Sequence, residues 1–279
     1  MTRIAFLGPA GTFTEEAALR FGIEDAQYVP VESPAAALAA LDAGDAEYAV
    51  CAIENSIDGA VTTTMDALAA TESARIVGET ELAIAFAVMT RQGHTLGDAL
   101  RLATHPVAHQ QVKRWIGAHA PKAEFIPAPS NAAAAKMVAD GAADVAVAPE
   151  RAAALHGLEV HARGVADAET ARTRFVLVAK QAAPPQPTGN DRTAIVFRTK
   201  NEPGALVRVL REFAARGVDM TRIESRPTRE EPNTYDFFVD LAGHASDAAV
   251  AAALEAGAAH TTAMRQLGTW PRGALKGGH

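Results

Sequence analysis

Thr173-Arg174-Phe175 places a hydroxyl and a guanidinium at the start of the apolar run Val176-Leu177-Val178. Both side chains can donate hydrogen bonds to substrate oxygens. Binding sites in α/β folds collect at strand ends, so polar groups there are placed to face a ligand rather than the core. The pattern predicts a polar site at this strand end. The alternative interpretation is an ordinary loop arginine beside a strand-starting threonine.

Side chains with hydroxyl or amide groups recur where helices should begin in the first 180 residues. These positions are Thr12/Thr14, Ser56, Thr104 and Ser130/Asn131. Helix N-termini offer unpaired N–H groups and the positive end of the helix dipole to carboxylates. If several of these turns converge, they form a cleft for a small polyanion. Each one alone is also explained as a plain cap, as in the capping box that Thr12 and Glu15 would form.

The elements that must position these residues follow two different orders. Up to about residue 180, short apolar runs alternate with alanine-rich helical segments, which predicts an α/β sheet architecture. Residues 181–191 are rich in Pro, Gln, Ala, Gly and Asn and predict a linker. Residues 192–268 have the order βαββαβ, which predicts a ferredoxin-like domain. We expect a flexible, glycine-rich tail at 269–279.

Composition and charge exclude several classes of protein. A net charge of −7 with no basic stripe argues against a nucleic-acid or acidic-membrane partner. The single cysteine excludes an internal disulfide, and the histidines lack the spacing of metal ligands. The sequence has neither a phosphate-binding P-loop nor a dinucleotide fingerprint. No apolar run approaches the roughly 18 residues of a membrane span, and the N-terminus lacks a signal-peptide pattern. We therefore predict a cytoplasmic protein with no metal and no cofactor.

Six motifs occur in a specific order along the chain. They are Gly8-Pro9-Ala10-Gly11-Thr12-Phe13-Thr14-Glu15, Ile53-Glu54-Asn55-Ser56, Thr104-His105-Pro106 with Gln111, Thr173-Arg174-Phe175, Asn201-Glu202-Pro203-Gly204-Ala205-Leu206 and Glu224-Ser225-Arg226-Pro227. Together they resemble the prephenate dehydratase family with a C-terminal ACT regulatory domain, over nearly the whole chain. The resemblance implies a bilobed catalytic domain at 1–180, periplasmic-binding-protein-like (type II), with the site between its lobes. Lobe one would be 1–77 and 160–180, lobe two 78–159, and the ACT domain 192–268.

The reaction that the resemblance implies is the decarboxylating dehydration of prephenate to phenylpyruvate, water and CO2, in L-phenylalanine biosynthesis. Thr173 matches an essential residue of the family. Because a hydroxyl is too weak an acid to deliver a proton outright, we interpret Thr173 as a donor to the departing oxygen or a link in a proton relay. Glu54 is the more conventional general acid, provided that it is buried between the lobes. The residues assigned to substrate binding are Thr12, Asn55, Ser56, Thr104, Gln111 and Arg174. For Arg174 the sequence does not decide between a substrate carboxylate and an internal acid as its partner.

Two positions depart from the family pattern. Phe86 occupies a position where many relatives carry histidine, and Ala171 one where many carry asparagine. A mechanism that depends on either of those side chains therefore does not transfer to this chain.

Regulation by L-phenylalanine is also implied, with the amino acid enclosed by two segments from neighbouring chains of a homodimer or homotetramer. The allosteric residues would be Asn201, Gly204, Ala205 and Leu206 on one side and Glu224, Ser225, Arg226 and Pro227 on the other. An amino-acid carboxylate on helix N–H groups is physically reasonable, because a glycine lets the ligand approach the backbone.

Two rival functions fit the same residues. Arogenate dehydratase performs the same elimination on the amino-acid analogue of prephenate. A cytoplasmic small-molecule sensor is the non-enzymatic alternative, since bilobed folds are widely used for binding alone. No chorismate mutase segment precedes Met1, so a fused bifunctional enzyme is not expected.

Overall fold

The computed structural model describes residues 1–167, 171–228 and 232–273, and its strands form a ten-stranded and a five-stranded sheet. Within those ranges, no helix is long and apolar enough to cross a membrane. Helices alternate with strands through the first 163 residues, so the predicted α/β architecture is confirmed.

Lobe one contains six strands of the ten-stranded sheet. Its elements are β1 (Thr2–Leu7), α1 (Phe13–Arg20), β2 (Ala26–Val31), α2 (Pro34–Ala43), β3 (Tyr48–Asn55), β4 (Gly59–Ala60), α3 (Thr62–Ala70), β5 (Ala74–Ala83) and the returning strand β11 (Arg172–Lys180). The strand order is β5-β11-β3-β1-β2, with β4 paired to β3. β1 lies parallel to both neighbours, whereas β11 is antiparallel to β3 and β5. The strand of Thr173 is thus central and buried on both faces.

Lobe two contains the five-stranded sheet, with the order β10-β6-β9-β7-β8. Its elements are β6 (Ala87–Thr90), a 3-10 turn (Leu96–Asp98), β7 (Arg101–Thr104), α4 (Pro106–Gln111), α5 (Lys113–His119), β8 (Glu124–Pro127), α6 (Asn131–Ala139), β9 (Val145–Ala148), α7 (Glu150–His156) and β10 (Glu159–Arg163). The chain passes from lobe one to lobe two after β5 and returns after β10, which is the predicted bilobed arrangement.

The C-terminal domain has the predicted βαββαβ order. Its elements are β12 (Asp191–Arg198), α8 (Ala205–Ala215), β13 (Met220–Pro227), β14 (Tyr235–Ala242), α9 (Ala248–Ala258) and β15 (Ala263–Pro271). The strand order β13-β14-β12-β15 is that of a ferredoxin-like sheet. Both helices cover one face, because α8 and α9 bury Val209, Phe213 and Val250 against that side of the sheet.

The other face of the C-terminal sheet packs on lobe one. Phe238 and Trp270 share a buried cluster with Leu38 and Met65 of lobe one. The strands of the C-terminal domain also join those of lobe one edge to edge, because β15 pairs with β5 where Gly268 lies opposite Ile76. The ten-stranded sheet therefore runs without a break from the C-terminal domain into the strands that carry the catalytic motifs.

The structure bears on the predicted bounds of the two lobes and of the C-terminal tail. Residues 78 and 160 fall inside β5 and β10, and we propose that the lobes meet after residues 83 and 163 instead. The predicted tail at 269–279 is wrong at its start, because β15 continues to Pro271 and Trp270 is fully buried. Residues 274–279 of that tail lie outside the described residues.

Candidate active site

A cleft of about 440 Å³ lies between the two lobes. Its polar or charged lining residues are Thr14, Asn55, Asp58, His105, Gln111, Asn131 and Thr173. Its apolar walls include Phe13, Ile84, Phe86, Val107 and Phe175. An apolar cavity with a few convergent polar groups is the usual form of a small-molecule site.

Starting turns of several helices open onto this cleft. Phe13 and Thr14 begin α1, Val61 precedes α3, Val107 lies in the first turn of α4, and Asn131 begins α6. The sequence left open whether these turns converge or are plain helix caps. Among the described lining residues there is no lysine or arginine. Backbone N–H groups and helix dipoles are therefore the main positive features available to a carboxylate.

Thr173 and Asn55 form the polar centre of the lobe-one wall. The Asn55 Nδ2 donates to the Thr173 Oγ1 at 2.9 Å. The Asn55 Oδ1 accepts from the backbone N–H groups of Ile57 and Asp58 at 2.8 and 3.0 Å, which fixes the orientation of the amide. Because the Thr173 oxygen already accepts one hydrogen bond, its own hydrogen is left to donate to a group in the cleft.

His105 and Asn131 face Thr173 from lobe two. The His105 Nδ1 accepts from the backbone N–H of Val107 at 3.3 Å, so in the neutral ring the proton is on Nε2. The Asn131 Oδ1 accepts from the His105 backbone N–H at 3.1 Å and from the Thr104 hydroxyl at 3.3 Å. Lobe two thus offers an oriented imidazole N–H and a carboxamide to the same cleft.

An ion pair between the lobes holds the first turn of α1 in place. The Glu15 Oε2 accepts from the Gly11 N–H at 2.8 Å and pairs with the Nε of Arg151, in α7 of lobe two, at 2.7 Å. A Cβ on Gly11 would lie 3.2 Å from the Ala152 side chain, so this position requires the absence of a side chain. The loop before α1 is thereby pinned between the lobes.

Phe86 and Phe13 form an apolar wall. Their rings meet edge to face at 5.7 Å. Ala171 is buried, and its carbonyl accepts from the Ile84 N–H at 2.7 Å. Of the two positions that depart from the family pattern, Phe86 presents an apolar ring to the cleft, whereas Ala171 is buried and does not line it.

Three predicted substrate-binding residues support the site without lining the cleft. Thr12 caps α1, accepting from the Glu15 N–H and donating to the Leu7 carbonyl. The Ser56 hydroxyl accepts from the Arg172 N–H at 2.9 Å, which joins the end of β3 to β11. Thr104 is fully buried and donates to the Val147 carbonyl at 2.7 Å. Asn55 and Gln111 do line the cleft, as predicted.

Glu54 corrects the prediction more strongly, and Arg174 has the second of its two predicted partners, internal acids. Successive residues of a strand point to opposite faces, so Thr173 faces the cleft while Arg174 faces the C-terminal domain. Glu54 pairs with Arg174 on that face, with 2.9 Å between its Oε2 and the Arg174 Nη2. Neither side chain lines the cleft. Glu54 is therefore not placed to act as the general acid, and Arg174 is not placed to bind substrate.

Four lining residues of the cleft were not assigned to substrate binding: Asp58, His105, Thr14 and Asn131, of which Thr14 and Asn131 were named among the helix-starting residues. Three of them lie in turns that the sequence pattern did single out. The missing signal was which member of each turn points inward. For Asp58 nothing in the sequence indicated a cleft position.

The placement of Glu54 predicts a mild phenotype for Glu54→Gln. We expect turnover within about fivefold of the parent, because its side chain is 44% exposed and such ion pairs contribute up to about 1 kcal/mol. Steady-state kinetics across the acid-to-neutral range checks this. A loss of a hundredfold, or the disappearance of an acid limb from the rate profile, would return Glu54 to the role of proton donor.

The predicted allosteric residues lie at one end of the C-terminal sheet. Gly204 caps α8 with φ +78°, and Ala205 behind it is buried. Asn201 and Ala205 line two grooves at this helix start, while Arg226 and Pro227 line a third against α3. The Arg226 guanidinium pairs with Asp66 of α3 at 2.9 Å. Leu206 and Glu224 are half-buried and Ser225 is exposed.

Metal chemistry has no evident site in the part of the chain that the structure describes. No group of three or more His, Cys, Asp or Glu side chains there could hold a metal ion. Cys51 is buried, and burial raises the pKa of its thiol to about 12, so it is inert as a nucleophile.

Comparison with known proteins adds independent evidence. The prephenate dehydratase family model matches residues 4–183 and the ACT domain model matches residues 193–256. A prephenate dehydratase of Corynebacterium glutamicum is 51% identical over 97% of this chain and 88% of its own length.

Two solved structures are similar over nearly the full chain. The structure of prephenate dehydratase from Arthrobacter aurescens in complex with L-Phe has a TM-score of 0.91 and 39% identity, over 97% of this chain and 90% of that one. GqqA, described as a novel type of quorum quenching acylase, has a TM-score of 0.88 and 34% identity, over 96% of this chain and 97% of its own.

Proposed function

The chain belongs to the prephenate dehydratase family, and we propose that it converts prephenate to phenylpyruvate, water and CO2 in the cleft between its two lobes. The observation that supports this proposal is the Asn55–Thr173 pair at the wall of the cleft, where the Thr173 hydroxyl accepts from Asn55 and keeps its own hydrogen to donate. A neutral donor suits this reaction. Aromatisation supplies the driving force, so the protein needs to assist departure of the hydroxyl rather than build a strong nucleophile.

The cleft distinguishes the two carboxylates of the substrate by its distribution of charge. Interactions that strengthen in the transition state accelerate the reaction, whereas strong ground-state binding of the departing carboxylate would slow it. Helix N-termini bind an anion through backbone N–H groups and the helix dipole, without a full positive charge beside it. We propose that they hold the carboxylate that stays on the product, and that the carboxylate lost as CO2 lies against the apolar wall of Phe13 and Phe86.

Donors from both lobes would act on the leaving hydroxyl. Thr173 donates from lobe one, and the Nε2–H of His105 approaches from lobe two. We propose that Thr173 and the Nε2–H of His105 are both hydrogen-bond donors to the departing oxygen, and that water supplies the proton. This assignment replaces Glu54 with side chains that line the cleft.

Arogenate is a second candidate substrate, favoured by one observation. Asp58 places a carboxylate among the lining residues of the cleft. An ammonium group, which arogenate carries and prephenate lacks, would be attracted to it. Comparison of kcat/KM for the two substrates decides between them. An N-acyl amide is tested as a third substrate, because one solved relative is described as an acylase. A higher kcat/KM for prephenate supports the proposal; a higher value for either alternative rejects it.

Regulation by L-phenylalanine is the second part of the proposal. The L-Phe complex of the Arthrobacter aurescens protein supports binding of this amino acid in the family. We propose that L-phenylalanine binds between Gly204-Ala205-Leu206 of one chain and Glu224–Pro227 of its neighbour in a homodimer or homotetramer, and that it inhibits turnover. Edge strand β13 supports a chain–chain contact here, because it exposes Ile223 by 44%.

Arg226→Ala tests this regulatory site. We expect the L-phenylalanine concentration for half-inhibition to rise by about 10-fold or more, because a hydrogen bond to a charged group contributes about 1.5–3 kcal/mol. Inhibition titrations at fixed substrate provide the measurement. Arg211→Ala on the exposed side of α8 is the matched control, expected to leave the titration unchanged. An inhibition curve identical to that of the parent in Arg226→Ala would contradict the assignment.

A further inference from the structure

A buried cluster of charged side chains lies directly behind the cleft, between lobe one and the C-terminal domain. We call it the Arg174 cluster. It comprises Arg174, Glu54 and Glu79 of lobe one and Arg192, Arg222 and Asp240 of the C-terminal domain. Three arginines face three carboxylates, so the formal charges cancel.

Arg174 contacts all three carboxylates of the cluster. Its Nη2 lies 2.6 Å from the Asp240 Oδ2 and 2.9 Å from the Glu54 Oε2. Its Nη1 lies 3.2 Å from the Glu79 Oε2. A single side chain of β11 therefore connects β3 and β5 of the catalytic domain to β14 of the C-terminal domain.

Two further arginines complete the connection from the C-terminal side. Arg222 forms a fork with Asp240, with both contacts at 3.0 Å. Arg192 pairs with the Glu79 Oε2 at 2.5 Å. Asp240 is thereby bound by Arg222 of edge strand β13 as well as by Arg174 of β11. A shift of the C-terminal sheet would therefore move the carboxylate that Arg174 contacts.

Burial makes these contacts sensitive to alignment. The side chains of Arg174 and Asp240 are 10% and 1% exposed. Burial opposes ionisation of Asp240, but the charges of Arg222 and Arg174 outweigh it and lower its pKa to about 2. An unpaired charge at this depth is costly, so a movement of one partner must be followed by the other.

The cluster and the catalytic pair occupy the same two rungs of the sheet. Thr173 is paired with Asn55 and Arg174 with Glu54, on adjacent residues of β11 and β3. A bulge at Ile53 follows at once, where the register shifts between Arg174 and Phe175. Bulges interrupt the ladder and re-aim neighbouring side chains. A movement of Arg174 and Glu54 on the face toward the C-terminal domain would therefore reorient Thr173 and Asn55 on the face toward the cleft.

We propose that Arg174 is a positioning residue that couples the C-terminal domain to Thr173, with Asp240 as the contact through which the state of that domain reaches the cleft. This proposal rests on the proposed function. A ligand shifts an equilibrium only through different contacts in two states. Here the two states differ in how Asp240 holds Arg174, and coupling between two sites requires such an element.

Asp240→Asn tests the coupling, since it keeps the shape of the side chain but removes its charge and one of the two oxygens that accept from Arg174 and Arg222. The parent enzyme and the variant are compared in L-phenylalanine binding by calorimetry and in inhibition of prephenate turnover. We expect the dissociation constant of L-phenylalanine to stay within about threefold of that of the parent. The inhibition of turnover by L-phenylalanine should fall at least about fivefold, the lower end of typical coupling factors between two sites. Asp240→Glu restores the charge and should recover part of the inhibition.

A matched control separates coupling from general loosening of the interface. Arg265 of β15 donates to the Leu68 and Thr71 carbonyls at the end of α3, in the same interface, and none of its hydrogen bonds reaches β11 in the described structure. Arg265→Gln should bind and respond to L-phenylalanine like the parent. Equal loss of inhibition in Arg265→Gln and Asp240→Asn would overturn the proposal.

The remaining outcomes are also decisive. Parent-like inhibition of Asp240→Asn would overturn the coupling, and so would loss of L-phenylalanine binding, which would place the defect in the effector site. If Asp240→Asn does not fold, Arg174→Lys, which keeps the charge but loses the guanidinium that contacts three carboxylates, must show binding of L-phenylalanine without inhibition. A parent enzyme that lacks turnover or inhibition would reject the proposed function itself, and the coupling with it.

Discussion

Thr173→Ala is expected to lower kcat by about 10² to 10³ while leaving the fold and the binding of product analogues intact. The magnitude is that of one well-placed hydrogen-bond donor removed from a transition state. Thr173 is 6% exposed at the cleft wall, and its oxygen accepts from Asn55, so the variant loses a hydroxyl hydrogen that could donate to a ligand in the cleft. The loss should fall on kcat rather than on KM, because the donor acts on the departing oxygen.

Thr173→Ser is the matched control for this prediction. Serine keeps the hydroxyl and its acceptance from Asn55, and it removes only a methyl group. We expect turnover within about tenfold of the parent, well above that of the alanine variant. Turnover of Thr173→Ala within a few-fold of the parent would show that the hydroxyl does not participate. Rates should be measured on protein whose thermal unfolding matches that of the parent.

Gly268→Ala is expected to have the largest effect on stability. A Cβ at this position would lie 2.1 Å from the backbone oxygen of Ile76, so β15 and β5 could not stay paired. Overpacking usually costs 1–3 kcal/mol, and here the obstacle is backbone that cannot rotate away, so we expect about 3 kcal/mol or more. Thermal unfolding should shift down by roughly 6 °C or more, and residues 181–190 should become more accessible to limited proteolysis.

Gly117→Ala provides the contrast. Gly117 lies within α5, and a Cβ there meets no atom within 4 Å. Alanine has the higher helix propensity, so this variant should be neutral or more stable by up to about 1 kcal/mol. Unfolding of Gly268→Ala at the same temperature as the parent would contradict the edge pairing between the two domains.

Much of the fold could be predicted because local signals and sheet order agree. The alternation of apolar runs with helical segments predicted the lobes, and the change to βαββαβ after the linker predicted the C-terminal domain. The end of the last strand was missed since Gly268 resembles a terminator in sequence. In the structure, that glycine lets β15 approach β5, and the chain continues to the buried Trp270.

The site was predicted only in part, for a reason of geometry. The motifs Glu54-Asn55 and Thr173-Arg174 each place two polar residues in succession on a strand, and adjacent residues face opposite sides. Where both faces are buried, alternation in the sequence does not tell which face is the cleft. Asn55 and Thr173 line the cleft, whereas Glu54 and Arg174 pair with each other on the opposite face. Arg174 also contacts Asp240, 66 residues further along the chain in another domain. Such a long-range partner leaves no local pattern.

The turns posed a similar problem at shorter range. Thr12, Ser56 and Thr104 were recognised as turn residues, but the hydroxyl of each forms a hydrogen bond with a backbone group. Their neighbours Thr14 and His105 line the cleft instead. Residue type predicted where the helices begin. Only the packing of the lobes determines which side chain of each turn reaches the substrate.

The central claim is that this cleft converts prephenate to phenylpyruvate, and product formation tests it most directly. Purified protein is mixed with prephenate at neutral pH, and phenylpyruvate is followed by its absorbance against a blank without enzyme. The parent and Thr173→Ala are run in parallel at equal concentration. The account predicts multiple turnovers by the parent and a rate about 10² to 10³ lower in the variant. Absence of phenylpyruvate above the blank with the folded parent protein would contradict it.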